Sequence, residues 1–209
     1  VRFGSWVGGD MDGNPNVTAA TMRETLADHR ARILALYRPE LQRLYRQLSQ
    51  SQERIGFDAA VLEQVETYAS QFPETERGLP ARHADMLYRR LLAHMQVRLA
   101  AVETDQSGAY PGPDALLHDL RLIQTSLRQH RGKHAGLFAI ERLIRRVETF
   151  GFHLATLDVR QDALMHRKAI SQLLGDVQWQ DRPADERAKI LRAGPQPKVK
   201  ADDISAPVL

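Results

Sequence analysis

The sequence predicts a mainly α protein, a helical bundle that carries two short β-strands. Three observations predict it. Between residues 18 and 149 apolar side chains recur at steps of three, four and seven, the spacing of one helix face. Two short apolar stretches, 3–7 and 152–159, bracket that run, and each ends in polar residues. Clusters of Gly, Pro and Ser, clearest at 105–113, break the run at helix-sized intervals. The chain then divides into a strand and loop (1–17), a helical stretch (18–150), a strand plus helix (151–174), and a short helix with a tail (175–209).

Taken in order, Phe3, Trp6 and Val7 suit a short buried strand. Gly8 and Gly9 let the backbone bend and approach a neighbour closely, because no Cβ intervenes. Asp10 and Asp12 set two carboxylates beside that bend, Asn14-Pro15 closes the turn, and Asn16 or Thr18 caps the following helix. Two chemistries fit this loop badly. Asp10, Asp12 and Asn14 match the first ligands of an EF-hand, but Pro15 stands where its glycine belongs and Thr21 where its last glutamate belongs. Gly8-Gly9 lacks the spacing of a phosphate loop, and no Lys-Ser/Thr follows. A ligand site and a plain turn with solvated acids both remain open on these residues alone.

The first helix is expected over 18–48, with Met22, Leu26, Ile33, Tyr37, Leu41, Leu44 and Leu48 inward, and Pro39 is expected to kink or split it near Tyr37. Asp58 caps a second helix reaching residue 72; 73–80 is a connector; a third helix covers 81–103. A fourth runs from Asp114 towards Gly132 with Leu116, Leu120, Ile123 and Leu127 inward, and a fifth covers 136–149. Gly151 ends it. Residues 152–159 form the second strand, nearly continuously apolar as in buried parallel sheets. Arg160 stands at its exit, where it either pairs with Asp158 or Asp162 or serves a ligand. Asp162 opens a helix to Leu174, Trp179 is a surface anchor, and 184–192 is a last short helix before an exposed tail.

Composition sets outer limits. The 209 residues are 43% hydrophobic, enough for a core, and 26% charged, with a net charge of +3. No run of about 18 apolar residues spans a membrane, and no signal-peptide pattern is present. Zero cysteines remove disulfides and thiolate chemistry and give no sign of secretion, so a cytoplasmic protein is expected. The start on a strand at Val1 and the uncapped end at Leu209 suggest a piece of something longer. Arg121, Arg128, Arg131, Lys133, Arg142, Arg145 and Arg146 cluster, but with few aromatic or polar base-readers among them; a solvated or acid-paired helix face is expected, not nucleic-acid binding. His130 and His134 are four apart, yet Gly132 intervenes and no third ligand is evident, so no metal is expected there.

The segment Phe3-Gly-Ser-Trp-Val-Gly-Gly-Asp-Met-Asp-Gly-Asn-Pro-Asn-Val-Thr18 resembles a signature of the phosphoenolpyruvate carboxylases, usually Ser-Trp-Met-Gly-Gly-Asp-Arg-Asp-Gly-Asn-Pro. Met11 departs from the usual arginine. Phe150-Gly-Phe-His-Leu-Ala-Thr-Leu-Asp-Val-Arg-Gln-Asp-Ala163 resembles a second family segment, Phe-Gly-x-x-Leu-x-x-Leu-Asp-Ile-Arg-Gln-Glu-Ser. The resemblance implies that the two strands belong to a parallel α/β barrel of a full-length enzyme, with the site at their C-terminal ends. It implies that Arg160 holds the phosphate of phosphoenolpyruvate, since a planar guanidinium grips two oxygens at once. Trp6 is implied as substrate-binding, with Gly8, Gly9, Asp10, Asp12 and Gln161 lining the site. The implied reaction is carboxylation by bicarbonate to oxaloacetate and phosphate, assisted by Mg2+ or Mn2+ in the full-length enzyme, a homo-oligomer (a tetramer in the family). The family's catalytic histidine, metal carboxylates and Gly-Arg-Gly-Gly loop are not in this sequence. The 209 residues alone are therefore expected to be inactive and to bind no metal. A non-enzymatic helical interaction module is the alternative.

Overall fold

The computed structural model describes residues 3–12, 14 and 16–200. The expected turn at Pro15 and the tail over 201–209 lie outside the described residues. The described chain forms β1 (Gly4–Ser5), α1 (Ala19–Gln47), α2 (Ala59–Gln71), α3 (Pro73–Arg77), α4 (Leu87–Glu103), α5 (Pro113–Gln129), α6 (Leu137–Phe150), β2 (Thr156–Leu157), α7 (Ala163–Leu174) and α8 (Ala184–Arg192). It is mainly helical with two short strands, and it divides into two compact units.

One unit holds Phe3 with residues 27–156. Its core is continuous: Leu34, Tyr37, Leu41 and Leu44 of α1 share it with Val61 and Val65 of α2, Leu91, Leu92 and Met95 of α4, Leu120 and Ile123 of α5, and Ile140 and Leu143 of α6. Burying such apolar surface is the main source of stability. Local signals set the helix ends. Asp58 accepts a hydrogen bond from Ala60 N at 3.1 Å, as an N-cap does. Pro113 sits in the first turn of α5, where its missing N–H has no cost. Gly151 closes α6 with a positive φ of 52°.

Several polar groups buried in this unit are tied to one another, although single atoms such as Asp119 Oδ1 and His94 Nδ1 lack a hydrogen-bond partner among the described residues. Asp119, fully buried on α5, accepts from Tyr68 Oη at 2.8 Å and Tyr110 Oη at 2.5 Å. Arg98 of α4 lies 4.0 Å from the same carboxylate, donates to Gly108 O at 3.2 Å, and stacks on Tyr110 at 4.1 Å. Ser126 ties Tyr88 Oη at 2.8 Å and accepts from Asp58 N at 3.0 Å. Four members of the arginine cluster are acid-paired: Arg121 with Glu148, Arg128 with Glu141, and Arg142 and Arg146 with Glu40.

Some helix boundaries differ from those expected. Pro39 lies inside α1, which the structure assigns unbroken from Ala19 to Gln47, so the proline does not split it; the core face at Tyr37, Leu41 and Leu44 carries the helix past the lost hydrogen bond. The connector at 73–80 contains α3, begun by Pro73. The third helix starts later, at Leu87, after a 3-10 turn over Ala81–His83. α5 ends at Gln129, so His130 and His134 do not share a helix turn.

The second unit holds residues 4–26 and 157–200. At the start of α1, Thr18 Oγ1 accepts from Thr21 N at 3.3 Å and Thr21 Oγ1 accepts from Thr18 N at 3.2 Å, a reciprocal cap. Asp162 caps α7 through Leu164 N at 2.7 Å, and Gly175 ends it in the left-handed region at φ 58°. Trp179 is not a surface anchor. It is 1% exposed, in the turn segment between α7 and α8 where Arg182 bonds Asp176 at 2.8 Å. The strands are shorter than expected and less covered: Trp6 is 58% exposed, and Phe3, Val7 and Val159 are also open.

Candidate active site

Every site residue expected from the sequence lies in the second unit, around one parallel strand contact. Asp158 N donates to Ser5 O at 2.8 Å, Arg160 N to Gly9 O at 2.9 Å, and Met11 N to Arg160 O at 2.9 Å. Asp10 and Arg160 thus face each other across a parallel bridge. Neither sequence distance nor composition dictates this pairing. It follows from two short apolar strands running in the same direction, each with its polar residues past its end.

The glycines make the contact possible. Gly9 N and Asp10 N both turn back to Trp6 O, at 2.9 and 3.1 Å. Gly8 takes a φ of 83°, and a Cβ there would stand 2.1 Å from Thr25 Oγ1 of α1. A Cβ on Gly9 would stand 2.5 Å from Asp158 O. What the two glycines approach is therefore the chain's own helix and second strand. They build the elbow on which the acids are carried.

Arg160 leaves β2 directly beside that elbow. Its guanidinium carbon lies 5.6 Å from the centre of the Trp6 ring, within range of a cation–π contact. Nη1 is 3.8 Å from Asp10 Oδ2 and Nη2 is 3.7 Å from Asp12 Oδ2. Charge-assisted hydrogen bonds run at about 2.7–2.9 Å, so these pairs hold the guanidinium loosely. Its side chain remains 52% exposed. The partners expected for an ordinary structural arginine were Asp158 or Asp162. The partners found are Asp10 and Asp12, while Asp162 is engaged as the cap of α7.

Gln161 turns towards the backbone, accepting from Asp162 N at 2.9 Å, and its Nε2 lies 3.7 Å from Met11 Sδ. Trp6, Gly8, Gly9, Asp10, Asp12, Arg160 and Gln161 are thus brought together. Sequence reasoning missed Thr25, whose threonine one helical step beyond Thr21 was a signal for a close contact, and the Met11–Gln161 contact, which carried none. Among the described residues, no three His, Asp or Glu side chains converge as a cation site. Asp10 and Asp12 already face a guanidinium, so the donors present do not fit a divalent cation.

The family model for phosphoenolpyruvate carboxylase matches residues 1–194. The chain is 45% identical over 206 residues to the phosphoenolpyruvate carboxylase of Xanthomonas euvesicatoria pv. vesicatoria, covering 97% of this chain and 23% of that protein. It is 37% identical over 185 residues to that of Nitrosomonas europaea (83% of this chain, 19% of that protein), and 36% over 213 residues to that of Nocardia farcinica (92% and 22%). The chain spans less than a quarter of the length of these curated relatives. With the family model matching nearly the whole chain and the two strand motifs present, this chain belongs to the phosphoenolpyruvate carboxylase family.

Proposed function

We propose that this chain is part of a phosphoenolpyruvate carboxylase and supplies the arginine that holds the substrate phosphate. The observation that carries the reading is the place of Arg160: at the exit of a strand, over the Trp6 ring, with a half-exposed guanidinium and only loose ion pairs. Such a group keeps donors for an incoming anion. A planar guanidinium offers two parallel N–H bonds to two phosphate oxygens. Trp6 supports its face and lines the site; the Gly8–Gly9 elbow sets the distance between them.

The same proposal covers the whole polypeptide. It carboxylates phosphoenolpyruvate with bicarbonate to give oxaloacetate and phosphate, as a cytoplasmic carboxy-lyase and a homo-oligomer, with β1 and β2 joining a parallel barrel. A divalent cation, Mg2+ or Mn2+, would neutralise charge developing on the enolate oxygen. Its ligands are supplied by other parts of the polypeptide, and nothing in this chain's role is routed through it. The 209 residues alone carry no carboxylase activity in this reading; oxaloacetate made by the purified 209-residue chain would contradict it.

The direct test is Arg160→Ala in the full-length enzyme. Truncating one partner of a charged contact costs about 2–5 kcal/mol, so the KM for phosphoenolpyruvate should rise by about 30-fold or more. An unchanged KM would remove Arg160 from phosphate binding.

A further inference from the structure

The acids beside Arg160 have a consequence for how tightly it takes a phosphate. Its two terminal nitrogens face two different carboxylates, Asp10 at 3.8 Å and Asp12 at 3.7 Å. One arginine against two aspartates leaves a formal local charge of −1. The residue between the acids, Met11, adds no cation. It is pinned in place, with its N–H on Arg160 O at 2.9 Å and its sulfur 3.7 Å from Gln161 Nε2. An arginine at this position would set a second guanidinium beside the two acids.

We propose that Asp10 and Asp12 compete with the substrate phosphate for Arg160, and that Met11 leaves that competition undivided. The proposal rests on the phosphate-binding reading above and makes residues 10–12 a determinant of substrate affinity. A phosphate that takes Nη1 and Nη2 meets the field of both carboxylates within 4 Å of those nitrogens. The Trp6 ring under the guanidinium is a support that does not compete, since it offers a π face and no negative charge centre. Neutralising one acid, or giving both another cation, therefore frees Arg160 while the ring still orients it. For partly exposed pairs the effect is modest, about two- to fivefold in affinity.

The test uses the full-length enzyme with Asp12→Asn and, separately, Met11→Arg. Each is expected to lower the KM for phosphoenolpyruvate about two- to fivefold, with the change in KM rather than kcat. The gap from the parent enzyme should shrink in high salt, because these charges are partly exposed. In an Arg160→Ala background, Asp12→Asn should have no further effect on KM. A KM unchanged or raised in both variants overturns the proposal, because a merely structural role for the acids predicts that outcome. So does a lowered KM that persists without Arg160, which would mean that the acids repel substrate directly. If Arg160→Ala alone leaves KM unchanged, the phosphate reading fails and this proposal falls with it; failure confined to the Asp12 and Met11 variants overturns the competition alone.

Discussion

The helical unit and the strand-bearing unit treat their apolar residues in opposite ways. In the helices, the residues that the 3.6-residue pattern marks as inward are buried from Ile33 onward, while Leu26 near the start of α1, also marked inward, is 47% exposed; buried Asp119 pairs with two tyrosines and Ser126 with Tyr88 and Asp58. Around the strands, Phe3, Trp6, Val7 and Val159 are apolar by sequence and open by structure. Parallel strands are ordinarily covered on both faces. The helices settle their own burial within residues 27–156, whereas the strand segments leave their apolar side chains open. The difference separates the residues that hold the fold together from those of the candidate site. One region holds the fold together, and the other displays an arginine, a tryptophan and two acids.

The largest expected effect tests the first half of that contrast. Asp119→Ala removes the acceptor of Tyr68 and Tyr110 and the charge opposite Arg98. Breaking a buried, hydrogen-bonded charge site costs about 3–5 kcal/mol, so the midpoint of denaturant unfolding should fall steeply. Asp119→Asn keeps an acceptor oxygen and should lose less. Equal losses in the two variants would mean that the network contributes little beyond packing.

A second experiment divides the regions physically. Residues 27–156 contain the whole continuous core and should melt cooperatively as an isolated polypeptide, followed by circular dichroism. A broad, uncooperative melt would show that the helices lean on the other unit and would erase the contrast. Gly8→Val sharpens the other half. A β-branched residue at φ 83° clashes with Thr25 and should distort the elbow that holds the Trp6 ring against Arg160, weakening phosphoenolpyruvate binding in the full-length enzyme.

How much of this was legible beforehand depended on what kind of signal each residue carried. Helix identity was legible because it is repetitive: Asp58, Thr18 and Asp162 are caps by residue type, and the structure makes them caps. Helix 87–103 began later than expected because the segment before it is rich in helix formers yet adopts a 3-10 turn. Asp119 was missed, although it stands on the α5 stripe three residues after Leu116 and four before Ile123; an acid on an apolar stripe is the sign of a buried network. Trp179 was misjudged because its neighbours in sequence are polar, and it is the fold of 176–186 that covers it. For the candidate site, the residues were legible but their geometry was not. Arg160 stands next to Asp158 and Asp162 in sequence and pairs instead with Asp10 and Asp12, about 150 residues away, because strand pairing is non-local.

The smallest effect concerns acid and separates two carboxyls of the helical unit by pH. Burial alone would raise the Glu40 carboxyl, but the hydrogen bond from Arg146 and the charges of Arg43 and Arg142 outweigh it and hold the group below its ordinary 4.5. A carboxylate depressed on folding stabilises the folded chain fully above the unfolded value and loses that contribution as pH falls through the lower folded value. Asp119 works the other way. Its burial raises the carboxyl above its ordinary 3.8 despite the tyrosine hydrogen bonds, so its charge costs stability as pH rises past that value. In a melt of residues 27–156 between pH 6 and pH 3, Glu40→Gln should therefore be destabilising at pH 6 and lose its effect towards pH 3. Asp119→Asn, by contrast, should compare more favourably with the parent at pH 6 than at pH 3. Parallel pH profiles for the two variants would mean that neither carboxyl is tuned by the partners around it, and that the helical unit is held by its apolar core alone.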